Sequence, residues 1–364
     1  MIPLILLMKE KKLSNNLILI IGLLYCVFPA LYAVSYYDFH ENCFLTFIIL
    51  FLIYFMEKKK YIPFYIFLIL LFSVKEDAAF YSFILGLFMI FNRKNYIHGS
   101  LTSVLSVIYF VIAVMILNEI GSGAMYNRFE NLIYNESDGL IGAIKTILNN
   151  PGYAFEQMFI TKDNLGDKLL YFINLFLPLG FIPLIIKKPS YLILLIPCLL
   201  NFLTLYKYQY DIKFQYSFGI TAFLFYLLVL NIDTISIDVK EKALVVSFAS
   251  SFILFLGFGV LFFVENANYY FSYSEVWKSN NQALKLIPKD ASVCATNEFC
   301  PHLSNRKVLY EEFYHNNKTD TDYVVLSIPT SEELIGSQTK LEYYLDNEYT
   351  EFYSTENIII LKHS

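Results

Sequence analysis

The stretch SYYDFHENCFLTFIILFLIYFMEKKK, Ser35 to Lys60, decides the class of fold. Asp38, His40 and Glu41 precede an apolar run at 43–56 that carries no charge, and EKKK at 57–60 closes it. Charge at both ends and none between is the pattern of a bilayer-crossing segment. The run is shorter than the about 20 residues a straight span needs. Its ends must therefore tilt, lie in a groove or be buried by protein.

The whole chain follows this pattern. Hydrophobic residues make up 57% of its 364 residues and charged residues 16%, with a mean hydropathy of +0.50. A soluble domain carries about a quarter charged residues, so this is a polytopic membrane protein whose first partner is the lipid bilayer. A net charge of −5 argues against nucleic acid as a partner.

Apolar runs give about nine spans, near 17–37, 43–56, 61–74, 78–92, 98–118, 167–186, 190–206, 214–231 and 243–264. The connections KEKK (9–12), EKKK (57–60), NRK (92–94), KKP (187–189) and KEK (240–242) are short and basic. By the positive-inside rule they face the cytoplasm of a cell membrane. The alternate set, DFHE, KED (75–77), the segment 119–166, YKYQYDIK (206–213) and everything after 264, then faces outside. The N-terminus is cytoplasmic on this reading. The opening MIPLILLM is too short to cross a bilayer and reads as the tail of a longer helix.

Within 119–166, DGLIGAIKTILNNP places Leu140, Ile141, Ile144, Ile147 and Leu148 at helical spacing, with Asp138 to cap the start and Pro151 past the end. It reads as an amphipathic helix on the outer membrane surface. After 264 the composition turns polar. SEVWKSNNQALKLI and SEELIGSQTKLEYYLDN read as helices, while SVCAT, KVLYEE, DYVVLS and EFYSTENIIILKH read as strands. The expected fold is mainly α: a helical bundle over 1–264 and a small extracytoplasmic α/β domain over 265–364. Cys294 and Cys300 share that outer domain and could pair there, and the histidines outside DFHE read as surface residues.

DFHE and SVKED both open apolar segments on the same face, and two readings fit them. Asp38 with Glu41, and Ser73 with Glu76, have capping-box spacing, and carboxylates in a first turn complement the helix dipole. His40, Lys75 and Asp77 are surplus to capping, and ionisable residues at that depth usually line a wet, functional cavity. Carboxylate oxygens with one imidazole suit Mg²⁺ or Mn²⁺, so Asp38, Glu76 and Asp77 are candidate metal ligands. Arg128 offers a planar fork for phosphate. Lys207 and Gln215, in the aromatic loop YKYQYDIKFQY with Asp211 and Lys213, either join such a site or form an interfacial belt.

DFHEN, KEDAAFYSFILGLFMIFNRK, LPLGFIPLIIKKPSYLILLIPCLLNFL, QYSFGI and the tail IPKDASVCATNEFCPHLSNRKVLY with DYVVLS resemble, across nearly the whole chain, a domain-of-unknown-function family of predicted bacterial polytopic membrane proteins. That family is similar to GT-C-type glycosyltransferases. The resemblance implies an extracytoplasmic transferase using a polyprenyl-phosphate sugar, often with a divalent metal. It places Asp38, His40, Glu41, Lys75, Glu76 and Asp77 in the family's polar motifs. Such proteins carry earlier helices and a first outer loop that holds an acidic catalytic residue. By this comparison the chain looks N-terminally truncated, and inactive for want of that loop.

Three functions remain open. The first is a GT-C-like glycosyltransferase, with Glu41 or Asp77 as general base and His40, Lys75, Arg128, Lys207 and Gln215 binding substrate or phosphate. The second is a lipid-carrier-binding or transport protein that performs no chemistry. The third is a membrane assembly or accessory protein, with the α/β domain as its interaction module.

Overall fold

The structure is a computed structural model of the chain and describes residues 1–36, 39–120, 126–135, 138–159, 164–315, 318–328 and 334–364. It divides into two compact units, Met1–Phe263 and Val264–Ser364.

Each apolar run of the first unit contains a helix, but the runs near 17–37 and 167–186 are broken, the first at Pro29 and the second after Phe176 by short turns around Gly180. In chain order the helices are α1 (Ile2–Glu10), α2 (Asn15–Cys26), α3 (Pro29–Tyr32), α4 (Cys43–Glu57), α5 (Tyr61–Phe72), α6 (Ala78–Phe91) and α7 (Tyr96–Ile120). There follow α8 (Gly139–Asn149), α9 (Pro151–Phe159), α10 (Leu165–Phe176), α11 (Leu192–Leu203), α12 (Phe218–Asn231) and α13 (Ile237–Leu254). Among the described residues three helical stretches are long and apolar enough to cross a membrane: Tyr96–Ile120, Gln215–Thr234 and Ile237–Leu284. The other apolar helices are shorter, α2, α4, α5 and α6 among them.

Two of the long stretches have opposite surroundings. α12 is apolar almost all round, α7 is apolar except along one small polar face, and such surfaces must lie inside protein or inside lipid. The window through α12 is 83% buried by its neighbours, whereas that through α7 is only 17% buried. Val104, Val107, Ile108, Val111, Ile112, Met115 and Ile116 of α7 are all exposed. A continuous apolar patch of that kind marks a membrane or partner contact. α12 is the axis of the unit, and α7 is its lipid-facing wall.

α7 is held to α6 by small residues. Ser82 and Gly86 of α6 meet Gly99, Thr102, Ser103 and Ser106 of α7, all buried, and the Ser82 and Ser106 hydroxyls hydrogen-bond at 2.7 Å. A Cβ at Gly86 would lie 2.8 Å from the Gly99 carbonyl oxygen, and one at Gly99 would lie 2.8 Å from that of Gly86. Backbones come this close only where side chains are missing, which is how helices associate without a hydrophobic drive between them.

Three of the basic connections meet at one end of the bundle. Glu57, at the end of α4, is buried and pairs with Lys11 at 2.6 Å and with Arg93. The Tyr226 hydroxyl of α12 donates to Glu57 and accepts from Arg93 at 2.9 Å. Lys58 pairs with Glu10 at 3.4 Å beside them.

In the second unit, α14 (Phe262–Leu284) precedes β1 (Val293–Ala295), α15 (Cys300–Leu303), β2 (Leu309–Glu311), α16 (Glu312–His315), β3 (Tyr323–Ser327), α17 (Leu334–Asp346), β4 (Tyr349–Ser354) and β5 (Ile358–His363). The sheet order is β2-β1-β3-β5-β4, with β1 parallel to β2 and β3, and β5 antiparallel to β3 and β4. Both faces are covered, because alternate residues enter different cores. Val293, Ala295, Tyr323 and Val325 pack with Leu284, while Cys294, Val324 and Leu326 pack with Tyr344. Strands buried on both sides read as unbroken apolar runs, which is why YVVL and IIIL stood out. Cys294 and Cys300 are both free thiols. His315 is buried and bonded to Asp320 at 2.6 Å, so it is not a surface histidine.

Gly86→Leu should drive a side chain into the α7 backbone. The expected loss is about 1–3 kcal/mol, the usual cost of overpacking, read as a lowered melting temperature in detergent. An unchanged melting temperature would show that α6 and α7 are not packed at this distance.

Candidate functional site

The two charged mouths meet. Lys75 Nζ lies 3.0 Å from Glu41 Oε1, which joins the turn before α4 to the turn before α6. Among the described residues the flanking side chains of neither turn cap the helix that follows. The first amides of α4 are taken by backbone carbonyls, Cys43 N donating to His40 O, Phe44 N to Glu41 O and Leu45 N to Asn42 O. Ala78 N and Phe80 N of α6 likewise donate to the carbonyls of Lys75 and Asp77. The flanking residues Asn42 and Asp77 make no side-chain cap, and Ser73 closes α5 instead, its hydroxyl donating to Leu70 O. The capping-box reading of Ser73 and Glu76 is thereby corrected, because backbone satisfies those amides and leaves the side chains for other work. The Asp38 half of the first box lies outside the described residues.

Glu76 and Asp77 line a cavity of about 230 Å³ together with Arg128. Apolar side chains form much of its wall, including Phe80 and Tyr81 of α6, Phe110 of α7, Leu140 of α8 and Leu200 of α11. Tyr81 can take its place because residue 219 of α12 is glycine, where any Cβ would run into the Tyr81 ring. Asp77 Oδ1 is shielded from solvent and has no hydrogen-bond partner among the described residues. Burial pushes the Asp77 carboxyl up to about 6, Lys75 and Arg128 pulling against it and Glu76 and Glu41 adding to it. For Glu41 burial also raises, but its own backbone amide, Lys75 and His40 together hold the carboxyl below its ordinary value.

Arg128 is held by stacking. Its guanidinium lies 4.7 Å from the Tyr206 ring centre and 4.9 Å from that of Tyr216, and Nη1 reaches Gln209 Oε1 at 3.4 Å. Gln209 Nε2 donates to Asn201 Oδ1 at 3.0 Å, and Asn201 Nδ2 donates to the Tyr171 hydroxyl at 2.9 Å, which meets Ser217 Oγ at 3.0 Å. This relay runs from the cavity to the foot of α12. Nearby, Lys168 of α10 is buried and donates to Gln157 O at 2.8 Å and Phe202 O at 2.6 Å. It ties α9 and α11 beside the Tyr210 ring.

Lys207 lies elsewhere. With Asp167, Tyr208, Asp211 and Lys213 it lines a neighbouring cavity of about 310 Å³. Gln215 is buried in the turn before α12 and lines neither cavity. Gln209, Asn201 and Tyr81 were not foreseen as site residues. Amides and tyrosines carry no charge and no spacing signal, so only their position reveals them. No three Asp, Glu, His or Cys side chains gather as a metal site among the described residues.

A comparison with protein families settles the kinship. The chain belongs to the family described as Predicted membrane protein (DUF2079). The match covers residues 1–358. No curated protein and no solved structure matches this DUF2079 chain. Family membership and the bare apolar face of α7 agree that the protein sits in a lipid bilayer.

A raised carboxyl has a defined effect on stability. Asp77 binds its proton more tightly in the folded chain, so its contribution is complete below the unfolded value near 4 and is lost as pH rises through about 6. Asp77→Asn, which cannot ionise, should therefore be more stable than the parent by ~1–3 kcal/mol at pH 7. The gain should vanish by about pH 4. Thermal melts of the two proteins across that pH range test it, and an equal gain at both ends would mean that Asp77 does not titrate there.

Proposed function

We propose that this DUF2079 protein is a GT-C-like glycosyltransferase that takes its sugar from a polyprenyl-phosphate carrier. The observation that carries the reading is the shared cavity of Asp77 and Arg128, one shielded carboxyl and one stacked guanidinium within an apolar wall. An anionic head group on a hydrocarbon chain needs a fixed cation and an apolar surround. Phe110 of lipid-facing α7 and Leu140 of α8 would lie against the chain of such a ligand. Arg128 would hold the departing phosphate, where stabilising developing charge contributes most to the rate.

Asp77 is the base. As the acceptor oxygen bonds to the anomeric carbon, the acceptor proton passes to Asp77 and the bond from that carbon to the phosphate oxygen breaks. The electron pair leaves on polyprenyl phosphate. A carboxyl pushed up to about 6 suits this work, since a base is most effective when its value lies near the working pH. Glu41 holds Lys75 in place, and Lys75 adds positive charge near the phosphate. A Mg²⁺ or Mn²⁺ ion belongs to the same proposal, with Glu76 and Asp38 as its ligands, which would leave Asp77, the other candidate ligand, free to act as the base. Its chemistry when bound would be to neutralise phosphate charge. His40 would orient this cluster, while Lys207 in the neighbouring cavity and Gln215 near the foot of α12 would meet the acceptor.

The charged mouths would face the outside of the cell membrane. Lys11, Lys58 and Arg93, gathered at the other end, support that orientation through the positive-inside rule. Alkaline phosphatase fused after Ser364 should then be active in intact cells, and an inactive but stable fusion would reverse the orientation.

The decisive experiment reconstitutes the protein with a radiolabelled polyprenyl-phosphate hexose and a cell-envelope extract that supplies acceptors, and follows both retention of the labelled lipid and release of its sugar to acceptor. Asp77→Asn should lower release at least a hundredfold with retention unchanged, while Arg128→Ala should weaken retention at least tenfold. Retention that depends on Arg128, with no release by the parent protein, would replace the transferase by a lipid-carrier-binding protein. Unaltered release in Asp77→Asn would remove Asp77 from the reaction.

A further inference from the structure

The second unit holds a larger cavity than either of those in the first. It measures about 780 Å³, within the range that takes up an organic ligand of substantial size. One wall is a face of α14, where Tyr269, Tyr273 and Trp277 recur every four residues with Tyr270 beside them. The rings form one group, with centres 4.4 Å apart for Tyr269 and Tyr273 and 4.9 Å apart for Tyr270 and Trp277. Farther along the same helix, Asn280 lines the cavity, and its Oδ1 is shielded from solvent with no hydrogen-bond partner among the described residues.

The opposite wall is made where β1 and β3 end. The chain steps from β1 out to β2 and then crosses back to β3 on the other side of β1, so connections diverge at the β1–β3 pair. In open α/β sheets, ligands bind in the crevice beyond the carboxyl ends of strands at such a point. Glu298 and His302 follow β1 there, and Ser327 ends β3. Asn357, just before β5, is tied in by the Ile328 amide donating to its carbonyl at 3.1 Å.

We infer that this cavity binds a neutral oligosaccharide. The flat C–H faces of pyranose rings pack on exposed aromatic rings, and sugar hydroxyls donate to a carboxylate and exchange hydrogen bonds with amides, an imidazole and hydroxyls, groups that line this cavity. A nucleotide fits poorly. No glycine occurs between Ser292 and Ser327 to let backbone amides cradle a phosphate, Glu298 would repel one, and the ammonium of Lys278, which also lines the cavity, is already paired with Glu275 at 2.6 Å. The inference does not depend on the transferase reading, because it uses only residues of the second unit.

The chain provides its own reporter, since Trp277 is its single tryptophan. The full-length protein in lipid nanodiscs would be titrated with cellohexaose, maltohexaose and chitohexaose while Trp277 emission is followed. At least one sugar should give a saturable blue shift. Asn280→Ala and Tyr273→Ala should each weaken that binding at least tenfold while melting within a few degrees of the parent. Three results would overturn the proposal: no saturable change with any of the three sugars, a shift indifferent to both substitutions, or strong Trp277 quenching by brominated lipids. The last would make the aromatic face a membrane anchor instead of a sugar platform.

Discussion

The burial of α12 by its neighbours is the constraint on which the membrane unit depends. A helix that is apolar all round has no preferred side, so neighbours must enclose it or lipid must. Here neighbours do, and both of its ends carry polar groups that gather charged side chains. Tyr226 near one end draws Glu57, Arg93 and Lys11 into a compact ionic cluster. At the other end Ser217 receives the relay from Tyr171, Tyr216 stacks on Arg128, and Thr46 of α4 donates to the Phe218 carbonyl. A packed apolar rod thus sets the distance between two charged ends.

The buried ionic end and the cavity end spend charge differently. Glu57 is matched by two cations and a tyrosine hydroxyl, so its charge is compensated and its role is to hold elements together. Asp77 is near Lys75 and Arg128, but its Oδ1 has no hydrogen-bond partner among the described residues, and its carboxyl is pushed up to about 6. A group left under-satisfied in a well-packed protein is a cost that folding alone does not explain. That unbonded carboxylate oxygen, beside a guanidinium in an open cavity, is why the proposed site is placed at this end. The same argument from an unsatisfied amide singles out Asn280 in the second unit.

Much was legible in the chain itself. Helix positions in the membrane unit followed from apolar runs that end in charge, because backbone polar groups in lipid must be satisfied within the segment. The strands of the second unit followed from short apolar runs between polar turns, and all of them formed. Helix capping was misread, since Ser73 and Glu76 had the spacing of a cap but Ser73 closes α5, its amide donating to Ile69 O, and the amides of Ala78 and Phe80 that open α6 meet carbonyls. Spacing can announce a motif, but backbone geometry decides whether it is used.

The sequence by itself determined the class of protein, the order of its elements and which residues carry charge at each mouth, because composition and periodicity are local properties. Only the tertiary structure brought Glu41 to Lys75 across 34 positions and set Arg128 beside Asp77. It also sent Lys207 to a separate cavity and added Gln209 and Asn201, which no pattern marks. The reason is physical. Charges and amides far apart in the chain meet only after apolar helices choose their neighbours, and that choice rests on shape, on the glycines at 86, 99 and 219, as much as on hydrophobicity.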